Sequence, residues 1–425
     1  ILKLQTTNKN KLRVGVIMGG YSFERHISLE SGRNIFEKLS SSDKYSPIPI
    51  FLLGDEDGFE WYKIPINLML KDNADDIKKQ ILNGTQHKII SVIRDQCKEI
   101  IAKYSSIDYQ FHPKLISIED LKNEVDEVFI ALHGRPGEDG TLQQVLDNNK
   151  IPYNGSGPNS SSLTINKYNT LQKLKSYGFS VTDQWIGYSQ DYYASKEQFV
   201  SQIESKFDYP FIIKPVDDGC SSAVLRIKSQ EQLINYLDAL FRLESEINKD
   251  SRDKLNLAWN EEFPKKSEVL VEALIESNGA KQFMEITGGL LTKKTEGKII
   301  YEIFEPSEVL VSGEILSLEE KFLAGEGQNI TPPRFGNSAE EYDLIFQQVK
   351  EQFLNAAKIL DIKGYARIDA FVRVYERLKV ETIIIEVNSL PGMTPATCIF
   401  HQAALNGYKP YDFIDKILEF GMNEN

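Results

Sequence analysis

The 425-residue sequence predicts an α/β protein whose first part is a doubly wound half-domain. An apolar run at 12–20, LRVGVIMGG, stops at two glycines; a second, VDEVFIALHG at 125–134, also stops at a glycine; and helical spacing of apolar residues follows each. Strands buried on both faces read as continuous apolar runs, and strand, glycine turn and helix form the repeating unit of open parallel sheets.

After the first strand, Ser28 is placed to cap SLESGRNIFEKL, in which Leu29, Gly32, Ile35, Phe36 and Leu39 recur at helical spacing. Glu30 then falls in the electropositive first turn. The second strand leads through GEDGTLQQVLDNN, whose later part has helical spacing. Between the two units, roughly 52–124, polar segments flank the helical pattern IKKQILNGTQHKIISVIRDQCKEIIAKY, an insertion on a first domain spanning 1–157. From 158 to 275 the pattern changes to a helix, KYNTLQKLKSYG, and short strands, YPFIIKP and SEVLVEAL, which predict a small central α+β domain. A third domain, 276–425, carries the strands ARIDAFVRV and TIIIEVN, with polar residues facing a common rim.

Composition narrows the function. With 49 basic and 62 acidic residues the net charge is -13, which repels phosphate backbones and argues against a nucleic-acid partner. No apolar run approaches the roughly 18 to 20 residues of a membrane span, and ILKLQTTNKNK has no signal-peptide hydrophobic region. Cys97, Cys220 and Cys398 are too widely spaced for a disulfide framework or zinc site, so a reducing cytoplasm is expected.

The most informative constellation is Asp369 in ARIDAFV with Glu386 and Asn388 in IIIEVNSLPGMT. Strand alternation puts Glu386 and Asn388 on one face while Val387 points into the core. Hard oxygen ligands so arranged suit Mg²⁺, which takes one or two carboxylates and completes its octahedron with waters and substrate phosphates. E-x-N alone would equally describe a polar strand end; Asp369 and the PGMT turn beside it favour the metal. In FIIKPVDDGCSSA a strand delivers Lys214 to a loop whose small residues, Gly219, Cys220, Ser221 and Ser222, let backbone N–H groups converge on phosphate. The Walker pattern is absent, and read alone this is an ordinary strand-end loop. His133 opens HGRPGEDGTLQQ, where a strand-end histidine is more often structural than catalytic, and Glu24 in GGYSFER either caps the next helix or meets a substrate ammonium.

GGYSFERHISL, ALHGRPGEDGTLQ, IPYNGSGPNSS, IIKPVDDGCSS, EEKF, GYARIDAF and IIEVNSLPGMTPAT stand in the order found in D-alanine:D-alanine ligases, which the chain resembles over almost its whole length from Leu12. The resemblance implies an ATP-grasp fold of three domains, Rossmann-like at the N-terminus, with ATP between the central lid domain and the C-terminal one. It implies that Glu24 holds the first D-alanine's ammonium and that His133 lies near its carboxylate. Lys167, Lys214 and Ser221 would meet ATP phosphates, Glu272 the adenine hinge, and Lys321, on a mobile loop, the transferred phosphate. Asp369, Glu386 and Asn388 would bind two Mg²⁺ ions, with Mn²⁺ as a substitute. Arg367 and the Gly392 amide would stabilise an oxyanion, and Thr397 would take the second substrate's carboxylate. The implied reaction joins two D-alanines through an acyl phosphate for peptidoglycan precursors; D-alanine and ATP are the expected partners, and a homodimer is left open.

Three departures bear on specificity. Cys220 stands where these ligases usually carry serine, Phe322 where many carry tyrosine, and Gln282 nearest the glutamate expected on the ribose. Phenylalanine at that loop position also occurs in relatives making D-alanyl-D-lactate. A D-alanine:D-lactate or D-alanine:D-serine ligase is therefore the alternative, and a non-catalytic ATP-binding regulatory module a third reading.

Overall fold

The computed structural model describes residues 11–84, 88–97, 99, 112–217, 223–257, 261–310, 329–395 and 397–424. Three sheets organise them. In the first, the order is β4-β3-β2-β1-β5. β1 (Leu12–Gly19) lies parallel to both β2 (Tyr45–Asp55) and β5 (Glu127–Ile130), as the two apolar runs predict. β3 (Gly58–Lys63) and β4 (Lys114–Ile116) add antiparallel strands, so the stretch after residue 52 begins by extending the sheet. Helices at Ala74–Asn83 and Lys88–Gln96 cover part of the 77–104 pattern; residues 100–111 lie outside the described set.

One boundary differs from expectation. The helix after β1 runs Arg25–Ser40, so Ser28 is inside it rather than at its cap. Its hydroxyl donates to the Glu24 carbonyl (3.2 Å) and accepts from the His133 N–H (2.9 Å), a tertiary contact that local spacing does not reveal.

The central sheet, β6-β9-β7-β8, is antiparallel: β6 (Gln184–Tyr188), β7 (Phe211–Lys214), β8 (Leu225–Ile227) and β9 (Glu268–Ala273). Its core is aromatic, with Tyr192, Phe199, Phe211 and Tyr236 buried together. The third sheet is built on β10 (Gln282–Thr295), which pairs with β11 (Lys298–Ile303), β12 (Ser307–Val309) and β14 (Tyr365–Val374). β13 (Asn329–Ile330) and β15 (Val380–Asn388) flank these. The helix Ala339–Ile359 packs Ile345, Val349 and Phe353 on this sheet, and Leu171 and Leu174 of the helix Lys167–Ser176 join the same core.

The helix Pro410–Glu424 returns to the first sheet. Phe413, Ile414, Ile417 and Leu418 belong to the core containing Val14, Ile17 and Phe129. First and third sheets are thus joined by continuous apolar packing. Among the described residues, no helix is long and apolar enough to cross a membrane.

Candidate active site

β14 and β15 bring the predicted oxygen ligands together. Asp369 pairs directly with Glu386, and Arg367 with Asn388. The register then slips, Ala370 facing Ile384, so that Ile385 is an extra residue in β15. A bulge re-aims neighbouring side chains, and here it lies beside Glu386. Val387 is buried in the third core, as alternation predicts.

Two carboxylates directly opposite on adjacent strands repel each other. Each is answered by a cation. Arg367 donates to both Asp369 oxygens at 3.0 Å, and Lys167 Nζ lies 3.3 Å from Glu386. Thr287 Oγ1 also donates to Asp369, at 2.6 Å. Burial alone would depress the Arg367 pKa, but Asp369 and, further off, Cys398 and Glu386 hold it above the ordinary value. Among the described residues, no three His, Cys, Asp or Glu side chains gather as a metal-ligating group; the trio here is two carboxylates and a carboxamide. The Asn388 Nδ2 is buried without a hydrogen-bond partner. These hard oxygen donors fit Mg²⁺.

In the central sheet, adjacent strands β7 and β9 set Lys214 beside Glu272 in a buried ion pair of 2.6 Å. Gln184 donates to the other Glu272 oxygen at 2.7 Å. The Lys167 N–H donates to the Val216 carbonyl at 2.9 Å, fastening the start of its helix to the strand end that carries Lys214.

The third wall is made by the two turns of the first sheet. Glu24 is 5% exposed, and its side chain makes no cap bond to the helix it precedes, which removes the capping reading. Gly134 has φ +66; a Cβ there would lie 2.8 Å from Ser22 Cβ and 3.1 Å from Glu24 Oε2, so only glycine brings this backbone so close to that carboxylate. His133 is 3% exposed, its Nε2 2.8 Å from Ser31 Oγ and its Nδ1 2.9 Å from the Leu390 carbonyl. Burial, with a smaller contribution from Arg367, lowers its pKa to about 4, so the ring is neutral. Glu138 accepts from Gly134 N (2.7 Å) and Leu390 N (3.3 Å), and burial together with Glu24 pushes its carboxyl above the usual range.

Gly392 sits between anchored neighbours. Met393 N donates to Ser31 Oγ at 3.0 Å, and Asn34 Nδ2 donates to the Met393 carbonyl at 2.7 Å. The Thr397 hydroxyl donates to the Thr394 carbonyl at 2.8 Å, so it must turn to reach a carboxylate.

The structure therefore gathers Asp369, Glu386, Asn388, Arg367 and Lys167 on one side, Glu24 and His133 on another, and Lys214 with Glu272 on the central sheet. It does not bring Gln282 to them. Gln282 starts β10, five residues along from Thr287, which faces Asp369; that is about 17 Å of strand. Its carboxamide oxygen accepts from Gly336 N at 2.9 Å. Cys220, Ser221, Lys321 and Phe322 lie outside the described residues. Sequence reasoning missed Ser31, Asn34, Thr287 and Gln184. The signal for the first two was present, since both are polar residues within the apolar pattern of a helix.

The chain is similar to known proteins over most of its length. The profile described as D-ala D-ala ligase N-terminus matches residues 13–156, and that described as D-ala D-ala ligase C-terminus matches 174–249 and 247–419. A D-alanine--D-alanine ligase of Caldicellulosiruptor bescii is 27% identical over 416 residues, covering 98% of this chain and 96% of its own. One from Borreliella burgdorferi is 26% identical, covering 96% and 95%. Among solved structures, the VanG D-Ala:D-Ser ligase from Enterococcus faecalis has a TM-score of 0.63 at 22% identity, covering 97% of this chain and 99% of its own. The Bacillus anthracis D-alanine--D-alanine ligase complexed with ATP has a TM-score of 0.58 at 22% identity, covering 97% and 98%. Structural likeness at this identity shows the shared α/β, ATP-grasp fold. With both profiles matched in order along most of its length, the chain belongs to the D-Ala D-Ala ligase family.

Proposed function

We propose that this chain joins two D-alanines into D-alanyl-D-alanine, a peptidoglycan precursor, with ATP and through an acyl phosphate. The observation that carries the reading is Asp369 directly opposite Glu386, each neutralised by a cation, beside Asn388. A first unit at 1–157, a central lid at 158–275 and a third unit at 276–425 would enclose the reaction, in a cytoplasm that supplies ATP.

Glu24 accepts the donor's ammonium and leaves the donor carboxylate pointing into the site. That carboxylate attacks the γ-phosphorus, the bond to the β,γ-bridging oxygen breaks, and ADP leaves. Lys167 and Lys214, now paired with Glu386 and Glu272, exchange those carboxylates for phosphate oxygens, so their charges are already in place. Glu272 then borders the adenine, Ser221 meets a phosphate, and Lys321 reaches the transferred group. Two Mg²⁺ ions held by Asp369, Glu386 and Asn388 would supply charge neutralisation at the phosphates. The acceptor's nitrogen, its ammonium proton first lost to solvent, next attacks the acyl carbon, and negative charge grows on the acyl oxygen; the carbon–oxygen bond to phosphate then breaks, phosphate departs, and the new amide nitrogen sheds its second proton. Arg367 and the Gly392 amide face that oxygen, while Thr397 orients the acceptor carboxylate. Fixed donors in a dry site lower such a barrier more than the same groups in water.

Acceptor choice has a second reading, because Phe322 replaces the usual tyrosine and the VanG structure is a D-Ala:D-Ser ligase. Purified protein given ATP, Mg²⁺ and D-alanine with competing D-serine and D-lactate, its products weighed by mass spectrometry, decides between them. D-Alanyl-D-alanine is the expected main product, lost in Asp369→Ala. A dominant depsipeptide or mixed dipeptide moves the assignment to the alternative. Tight ATP binding with no product in any mixture favours a non-catalytic ATP-binding module.

A further inference from the structure

The turn at 133–138 grips the Leu390 peptide at both ends. Leu390 N–H donates to Glu138 Oε1 (3.3 Å), and the Leu390 carbonyl lies 2.9 Å from His133 Nδ1. A carbonyl oxygen only accepts, so Nδ1 carries the proton. In a neutral ring Nε2 then presents a lone pair, and the Ser31 hydroxyl, 2.8 Å away, must donate to it. That leaves Ser31 Oγ free to accept from Met393 N–H, which it does at 3.0 Å. The donors and acceptors close without conflict: Met393 N–H to Ser31, Ser31 O–H to Nε2, Nδ1–H to Leu390. Asn34 completes the set on the Met393 carbonyl at 2.7 Å.

Both ring nitrogens are thus spent on the backbone and hydroxyl groups that flank Pro391 and Gly392. We infer that His133, as its Nδ1-protonated tautomer and together with Glu138, is a positioning residue. It fixes the Gly392 amide where the oxyanion forms, rather than holding the donor's carboxylate. This rests on the proposed ligase reading and assigns His133 a different task within it. An oxyanion donor displaced by about 1 Å costs on the order of a hundredfold in rate, and the loss falls on the chemical step.

The variants H133A and H133N separate the two tasks, because the asparagine amide can restore a donor near the Nδ1 place. With folding checked by thermal melts, H133A is expected to lower kcat about a hundredfold while the D-alanine KM at the donor site stays within about twofold. H133N should recover at least about tenfold of that loss. A donor-site KM raised about tenfold at unchanged kcat would overturn the inference. A second measurement needs no activity: long-range ¹H–¹⁵N spectra of the histidine-labelled wild type at pH 7. Of the five histidines, the ring missing from H133N, or from H133Q if H133N does not fold, should be neutral and protonated on Nδ1. A ring protonated on Nε2, or on both nitrogens, sinks the assignment even if the wild type makes dipeptide. A wild type that makes none sinks the ligase reading, and the positioning role with it, while the spectrum still fixes the tautomer.

Discussion

Glu127 opens β5 with its side chain 0% exposed and neither carboxyl oxygen hydrogen-bonded. The Gly421 Cα and the Tyr153 carbonyl close over it; a Cβ on Gly421 would stand 2.3 Å from Glu127 Oε1. Burial pushes the carboxyl up to about 9 from an ordinary 4.5. The folded protein keeps this proton while the unfolded chain releases it, so stability from this group is full below about pH 4.5 and drains away as pH rises towards 9. Glu127→Gln should therefore raise the Tm at pH 8, by the equivalent of ~1–3 kcal/mol, and hardly change it at pH 4.5. Equal shifts at both pH values would show that the carboxyl is ionised or solvated. The sequence displayed Glu127 as the polar start of an apolar strand and could not show that a helix 290 residues later covers it. Glu386 and Asn388 were legible for the opposite reason: strand alternation, which is local, sets them on one face, whereas Asp369 joins them through the pairing of β14 with β15. His133 stood out as a polar loop residue, but its partners Ser31 and Leu390 come from two distant elements.

Among the elements, strands were easier to place than helix starts. Apolar runs defined β1, β7, β9, β14 and β15, whereas the helix at 25–40 begins before its expected Ser28 cap because a distant backbone N–H claims that hydroxyl. The bulge at Ile385 left no mark in the sequence, since Ile384 and Ile385 suit either face. A turn before β14 shows how elements are fitted together. Gly364 has φ +70, and a Cβ there would come within 2.6 Å of the Gly155 backbone nitrogen. Gly364 N also donates to Thr292 Oγ1 at 2.7 Å, tying the turn to β10. Gly364→Ala combines left-handed strain with a clash against backbone that cannot swing aside. It should cost about 2–4 kcal/mol, read from urea unfolding. A loss below about 1 kcal/mol would mean that the 155 loop yields freely.

Across the whole molecule, ionic contacts join the first sheet's turns to the central unit. Arg25 is bidentate to Glu262 (2.7 and 2.9 Å) and also binds Asp75, while Arg135 binds both Asp139 and Asp217, the latter shared with Lys266. These groups are partly exposed, so salt screens them. Raising NaCl from about 0.05 to 0.5 M should increase the KM for ATP by about threefold, and Asp217→Asn should blunt that response. A KM indifferent to salt in the wild type would remove these pairs from any part in enclosing the nucleotide. Strands of all three sheets were readable in advance as apolar runs. Their joining was not, because periodicity says that a helix has an apolar face and leaves open what that face meets.

The return of residues 410–424 to the first sheet also governs the order in which the protein can be made. Phe413, Ile414, Ile417 and Leu418 complete a core to which Val14, Ile17 and Phe129 of the first sheet belong, residues that leave the ribosome far earlier. Until residues 410–424 are translated, β1 and β5 have a greasy flank facing water. Folding of these strands is therefore completed by a helix that is made much later.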